Sequence, residues 1–140
     1  MIKLAALLSA GAAVAALGVV PAAHATVIDG PSGDCAVTAK WSKPSSTTVK
    51  VTWTTRCDSA YYGIQNGVTL HPAKGSGQAE TRTSFCHAKE RQVKTCSTSV
   101  TISDPGGRQD YVSIDEVYLD DSYYELDWQS AGWSRSTFTG

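Results

Sequence analysis

Two segments of this chain alternate apolar and polar side chains, and each has a cysteine at one end. In residues 35–41 the apolar set begins at Cys35, and in residues 49–57 it ends at Cys57. Alternation with a period of two is typical of β-strands that bury one face. The stretch between the segments, centred on Ser46, is rich in serine and threonine after a proline, which favours a turn. The pattern therefore predicts an antiparallel pair of strands.

Residues 1–25 are typical of a secretion signal. An early lysine is followed by an unbroken run of apolar and small residues at 4–20, and the tripeptide 23–25 has the A-x-A pattern of a cleavage site. We expect cleavage before Thr26, which leaves residues 26–140 as one secreted, extracellular domain. A membrane anchor is the alternative, but the run is short for a span and no stop-transfer charges follow it. We therefore expect no membrane association after cleavage.

Four cysteines remain in the predicted mature chain, and their spacing distinguishes between a zinc site and disulfide bonds. They are Cys35, Cys57, Cys86 and Cys96. None of their spacings gives the short thiol pair that zinc sites use. An even number of cysteines in a small exported domain is most simply explained by disulfides. We predict two disulfides, and neither a metal nor another cofactor.

The alternation also selects one of the three pairings that four cysteines allow. If the first two strands fold back about Ser46, Cys35 lies opposite Cys57 and the two apolar faces coincide. The same register places Ala39 opposite Trp53, and Trp41 opposite Val51. Directly opposed Cβ atoms are about 4.5–5.5 Å apart, which suits a disulfide. We predict Cys35–Cys57, and Cys86–Cys96 follows by elimination.

The rest of the mature chain also favours strands. Asn66-Gly67 is a residue pair preferred in two-residue turns, so it predicts a hairpin of residues 61–65 and 68–71. Further strands are expected at residues 81–87, 93–102, 111–119 and 123–129. No convincing 3.6-residue apolar period follows the predicted turn. We predict an all-β fold built as a two-sheet antiparallel sandwich, because one open sheet of this size would leave a face unburied.

Short motifs in these strands resemble those of fibronectin type III and related immunoglobulin-like sandwiches. The matching residues are Val51-Thr52-Trp53 followed by Tyr61-Tyr62-Gly63-Ile64, and Thr101-Ile102-Ser103 followed by Pro105-Gly106-Gly107 and Asp110-Tyr111. The chain departs from that family at Ser113 and Asp115, where inward apolar residues would be expected. Residues 113–119 are also similar to the closing strand of jelly-roll carbohydrate-binding modules. Both resemblances imply a binding scaffold, immunoglobulin-like in the first case, rather than a catalyst.

The charges are strongly divided along the chain. Residues 36–100 contain nine basic and three acidic residues, whereas residues 101–140 contain two basic and eight acidic residues. The basic residues are scattered over several predicted strands without interleaved aromatics, so we expect no nucleic-acid binding. The acidic cluster comprises Asp115, Glu116, Asp120, Asp121, Glu125 and Asp127. Calcium binding is an alternative for it, but the spacing is not that of a calcium loop, and we interpret these residues as solvated strand edges.

Aromatic side chains are concentrated in the last quarter of the chain, beside the acidic residues. Alternation assigns Trp41, Trp53 and Trp128 to the core. The candidates for an exposed binding surface are Tyr118, Tyr123 and Trp133. Rings beside carboxylates are used both in protein interfaces and in sugar binding.

We therefore expect a secreted, non-catalytic and monomeric binding module. Its expected partner is another secreted protein, which it inhibits or docks on, and a polysaccharide bound by the same tyrosine and tryptophan side chains is the alternative. A small secreted hydrolase comes third, with glycoside hydrolysis by two late carboxylates as its most plausible form. No catalytic residue is predicted, because His71 and His87 lie in no known catalytic pattern.

Overall fold

A computed structural model describes residues 25–75, 77–123 and 127–140. The described residues form eight strands, and every strand pair is antiparallel. The strands are β1 (Ala25–Ile28), β2 (Cys35–Ser45), β3 (Thr48–Tyr61), β4 (Gly63–Pro72), β5 (Glu80–His87), β6 (Val93–Ser103), β7 (Asp110–Asp120) and β8 (Trp128–Thr139). The predicted leader lies outside the described residues except for Ala25. Within the described segments no helix is long and apolar enough to cross a membrane.

The strands form two four-stranded sheets that pack face to face. Sheet I has the order β1-β2-β3-β6, and sheet II has the order β5-β4-β7-β8. Side chains from both sheets form one core, because each strand sends alternate residues inward. The largest fully buried side chains include Trp41, Trp53, Tyr61, Tyr111, Ile64, Leu70 and Leu119. The all-β, two-sheet antiparallel sandwich predicted from the sequence is confirmed.

The predicted pairing of β2 with β3 is confirmed residue by residue. The observed partners are Cys35 with Cys57, Ala39 with Trp53, and Trp41 with Val51. The chain turns at Ser46 and Thr47, as the polar stretch between the strands predicts. The two core tryptophans of this hairpin are almost fully buried, as alternation requires.

Both disulfides form as predicted. Cys35–Cys57 links neighbouring strands within sheet I, and Cys86–Cys96 links β5 to β6. Since β5 and β6 are the edge strands of different sheets, the second disulfide joins the two layers of the sandwich on one side.

The turn predicted at Asn66-Gly67 is wrong. Both residues lie inside β4, which continues through them without a break. Asn66 is fully buried, accepts a hydrogen bond from Thr55 Oγ1 at 2.9 Å and donates one to the Cys96 carbonyl at 3.2 Å. Because these partners in sheet I satisfy the amide, the inter-sheet hydrogen bonds override the local turn preference.

The last strand also differs from the prediction. A strand was expected at residues 123–129, of which 124–126 lie outside the described part, whereas β8 begins at Trp128 and continues to Thr139. Its inward positions include Ser134 and Ser136 rather than apolar residues, so the sequence carries little alternation there. The inward serine at 136 is satisfied by a core side chain, since Trp41 Nε1 donates to its hydroxyl at 2.8 Å.

Candidate binding face

The outer face of sheet II carries aromatic side chains from three of its strands. β5 contributes Phe85, β7 contributes Tyr118, and β8 contributes Trp128 and Trp133. Their register places them on the outside, because alternation sends the intervening residues into the core. We call these residues the aromatic face. Phe85 is 57% exposed and Trp133 is 64% exposed, while Tyr118 and Trp128 are half-buried.

Trp128 lies across this face because β4 has a glycine beneath it. A Cβ atom at Gly63 would collide with the Trp128 ring. In its absence the indole packs on the strand and meets Phe85 edge to face, with ring centroids 5.9 Å apart and an interplanar angle of 67°. The prediction that Trp128 belongs to the core is therefore wrong. β8 begins at this residue and pairs it with Asp120, which places the indole on the outer side.

Glu116 places a carboxylate beside the exposed Trp133. The two residues are direct cross-strand partners, and Glu116 is itself exposed. The Tyr118 hydroxyl donates a hydrogen bond to Glu116 Oε2 at 3.3 Å. On its other side Glu116 lies opposite Gly67, where β4 contributes no side chain. The aromatic face therefore combines rings with a hydrogen-bond acceptor on one open surface.

Tyr123 lies at the adjoining end of the sandwich rather than on the aromatic face. It is 61% exposed, and its ring packs edge to face against Tyr62 at 5.7 Å and 66°. The Arg91 guanidinium lies 5.5 Å from the Tyr62 ring centroid and forms an ion pair with Asp121. Asp121 also accepts a hydrogen bond from Ser32. These contacts hold three loops together at the end of the sandwich that presents Tyr123.

The acidic cluster is only partly solvated. Asp115 and Asp120 are 0% and 2% exposed, so the prediction of solvated strand edges is wrong for these two residues. Of the others, Glu116 and Asp127 are exposed, Asp121 is half-buried, and Glu125 lies outside the described residues. Within the described part of the chain no group of three His, Cys, Asp or Glu side chains is placed to hold a metal ion.

Asp115 faces the core between Val68 of β4 and Ser134 of β8. Neither of its carboxylate oxygens has a hydrogen-bond partner among the described residues. Burial, and after it the charge of Glu116, raises the pKa of Asp115 to about 7. The carboxyl group is therefore neutral in acidic solution and ionises near pH 7.

The outer face of sheet I has a different chemistry. Its outward side chains are mainly serine and threonine, and several hydroxyls bond to each other, as Thr52 does with Ser99 at 2.7 Å. Lys40, Lys50 and Arg56 supply its charges where β2, β3 and β6 are paired, and Asp58 follows beyond the end of that pairing. The charge division along the sequence thus becomes, in part, a division between the two outer faces.

Sequence reasoning found part of the aromatic face. Tyr118 and Trp133 lie on it, whereas Tyr123 lies at its end, and Phe85 was not among the candidates. The sequence does contain a signal for Phe85. In the strand predicted at residues 81–87 a disulfide-bonded Cys86 points inward, so the neighbouring phenylalanine must point outward.

Comparison with protein-family models and with curated proteins gives no match for this chain.

Proposed function

We propose that this protein is a secreted, non-catalytic binding module that recognises another secreted protein through its aromatic face. One observation carries the proposal: Phe85 and Trp133 are each more than half exposed on the same sheet face. Clustered exposed rings on a small domain mark interaction surfaces, and tryptophan and tyrosine dominate the energetics of protein interfaces. The two disulfides support secretion, because such bonds persist in oxidising compartments.

The orientation of the rings favours a protein over a polysaccharide chain. Phe85 and Trp128 meet at 67°, and Tyr62 and Tyr123 meet at 66°. A sugar chain stacks best on rings that share a plane, whereas edge-to-face pairs form an uneven surface that accepts protruding side chains. The two ring pairs at this surface, Phe85 with Trp128 and Tyr62 with Tyr123, are of the second kind.

The aromatic face has the dimensions of an interface centre. Phe85 and Trp133 lie on β5 and β8, the two edge strands of sheet II, which are three strand spacings or about 14 Å apart. A standard protein interface buries about 800 Å² on each partner. We therefore expect the partner to place its main contacts on the aromatic face and to reach polar residues around it, among them Glu116 and Arg135.

Capture of proteins from the culture fluid of the source cells, followed by calorimetry with the captured protein, tests this proposal. We expect Phe85→Ala and Trp133→Ala each to weaken binding about tenfold or more, as hot-spot truncations do. Val27→Ala is the matched control, because Val27 is 66% exposed but belongs to sheet I. The proposal would be overturned if no protein were captured, or if a variant with both Phe85→Ala and Trp133→Ala bound the captured protein as tightly as the wild type does.

A polysaccharide is the second candidate, and one observation favours it. Trp133 offers a ring for stacking while its neighbour Glu116 offers a hydrogen-bond acceptor. Electrophoresis in gels that contain soluble polysaccharides tests this candidate directly. Retardation by one polysaccharide that is lost in Trp133→Ala and Glu116→Gln, together with failure to capture any protein, would replace the first proposal by the second.

We also propose that the sandwich is immunoglobulin-like, as the resemblance to fibronectin type III domains implies. The division of β2, β3 and β6 from β4, β7 and β8 supports it, since immunoglobulin strands A, B and E separate in the same way from C, F and G. In this correspondence β7 is strand F, and immunoglobulin domains have a conserved tyrosine near the start of that strand. The buried Tyr111, at the start of β7, therefore adds support. A crystal structure in which β6 pairs with β7 instead of β3 would contradict this assignment.

A further inference from the structure

We propose that the free edge of β8 pairs with β8 of a second copy of this chain, which joins two sheets II into one continuous sheet. β8 lies at the end of sheet II and pairs with β7 on one side only. Among the described residues no strand pairs with its other side. An edge of this kind presents a row of backbone donors and acceptors that another strand can use.

The hydrogen bonds at the end of β8 define which backbone groups point away from β7. Gly140 and Gln109 exchange both of their hydrogen bonds, at 2.9 and 3.0 Å. In an antiparallel ladder such bonded pairs alternate with unbonded ones, so every second residue counted back from Gly140 faces β7. The residues between them face the open edge. They are Trp133, Arg135, Thr137 and Thr139, and the register of this segment is regular.

The β8 edge lacks the features that usually prevent strand pairing. Residues 133–139 contain no lysine, proline or acidic residue. The irregularity in the β7–β8 register lies before this segment, where Gly132 has a φ of +148° and approaches Ile28 so closely that a Cβ would press on it. The other three edge strands are less suited to pairing with a second copy. β1 has only four residues, and β5 and β6 are linked to each other by a disulfide.

The segment is its own antiparallel complement, which is why we infer a second copy rather than an unrelated strand. A two-fold axis beside Ser136 places Trp133 opposite Thr139 of the second copy, and Arg135 opposite Thr137. Every edge-facing N–H and C=O group of residues 133–139 then has a partner, and no like charges are directly opposed. The partly buried ring of Phe138 gains additional cover. This inference departs from the monomer expected from the sequence.

Sedimentation equilibrium over a wide concentration range tests the proposal. We expect the apparent mass of the wild type to double as the concentration rises, and Thr137→Pro to stay monomeric with an unchanged circular dichroism spectrum. Proline at 137 removes an edge-facing N–H and leaves the bonds to β7 intact. Thr83→Pro is the matched control on the opposite edge. Ala88 donates its N–H to Tyr62 at 3.0 Å, so alternation turns the N–H of Thr83 away from β4. This control should still dimerise.

Amide hydrogen exchange of the wild type keeps the test decisive if Thr137→Pro does not fold. We expect exchange at Trp133, Arg135, Thr137 and Thr139 to slow as the dimer forms, while the edge-facing amides of β5 keep their rates. A wild type that stays monomeric throughout, or a dimer in which these four amides exchange as fast as in the monomer, would overturn the proposal. Thr137 is not part of the aromatic face, so dimer formation and partner binding can fail independently of each other.

Discussion

Trp53 Nε1 donates a hydrogen bond to Ser113 Oγ at 2.8 Å and so connects the two sheets through the middle of the core. Ser113 is fully buried, and its own hydroxyl proton goes to the Thr69 carbonyl at 2.8 Å. The bond explains why a serine stands where the fibronectin-like pattern has an apolar residue. A buried indole N–H needs an acceptor, and this serine supplies one.

We expect Ser113→Ala to lower the free energy of unfolding by about 1–3 kcal/mol, because it leaves the Trp53 N–H buried without an acceptor. Urea unfolding followed by circular dichroism measures the loss. In a Trp53→Phe background the same serine substitution should cost less, since no indole N–H remains. An equal cost in both backgrounds would show that the Trp53 bond is not what Ser113 contributes.

Asp115 should make the fold less stable as the pH rises from 4 to 7. Its pKa is raised from 3.8 to about 7 in the folded chain, so between these values the unfolded chain has lost a proton that the folded chain keeps. The unfolding free energy then falls by about 1.4 kcal/mol per pH unit, roughly 4 kcal/mol in all, and levels off above the folded pKa. Urea unfolding at a series of pH values measures this slope.

Asp115→Asn is the variant that isolates this effect. Asparagine keeps the shape of the side chain but does not ionise. We therefore expect the decline in unfolding free energy between pH 4 and 7 to disappear, so that the variant becomes more stable relative to the wild type as the pH rises. Ser113→Ala, which changes no titrating group, should keep the wild-type slope. A wild type whose stability is constant over this range would contradict the prediction.

Asp104 should have the opposite pH dependence. Its buried carboxylate lies 2.7 Å from Lys43 Nζ, and this contact, before any other, lowers the pKa of Asp104. The resulting stability is present above the unfolded pKa near 4 and is lost as the pH falls through the lowered folded value. Because Lys43 is 35% exposed, we expect Lys43→Met to cost only about 1–2 kcal/mol at pH 7. The cost should shrink at pH 3, whereas Lys40→Met, on the exposed face of the same strand, should change little at either pH.

Gly63 should not tolerate a side chain, whereas Gly67, in the same strand, should accept one. We expect Gly63→Ala to displace the Trp128 indole, to shift tryptophan fluorescence to longer wavelength and to destabilise the fold by about 1–3 kcal/mol. A methyl group at Gly67 would have the Glu116 carbonyl oxygen as its nearest heavy atom, at 3.7 Å, so Gly67→Ala should be neutral or slightly stabilising. Equal behaviour of the two variants would show that Trp128 does not depend on the gap at Gly63.

The first hairpin could be predicted from the sequence because two independent constraints agree on it. The alternation of apolar residues and the pairing of Cys35 with Cys57 require the same register, and a slip of one residue would have violated both. Strands β5, β6 and β7 could be predicted from composition and flanking turn residues, and each end lies within one residue of the prediction.

Asn66 and β8 could not be predicted because their polar residues are satisfied by distant partners. A buried amide that bonds to Thr55 looks locally like a turn residue, and an inward serine that accepts from Trp41 looks locally like a loop residue. The misplacement of Trp128 follows from the same cause, since the start of β8 sets which side of the sheet its residues face. Knowledge of the opposite sheet is needed to interpret these positions.

The Cys86–Cys96 bond restrains the sandwich on one side only. On the other side β1 and β8 touch without a covalent link, with Ile28 against Gly132. We therefore expect local separation of the two sheets to begin on the β1–β8 side, because the disulfide holds them together on the β5–β6 side. We expect the four-residue strand β1 to detach first, so that proteolytic cleavage of the native protein would start beside it.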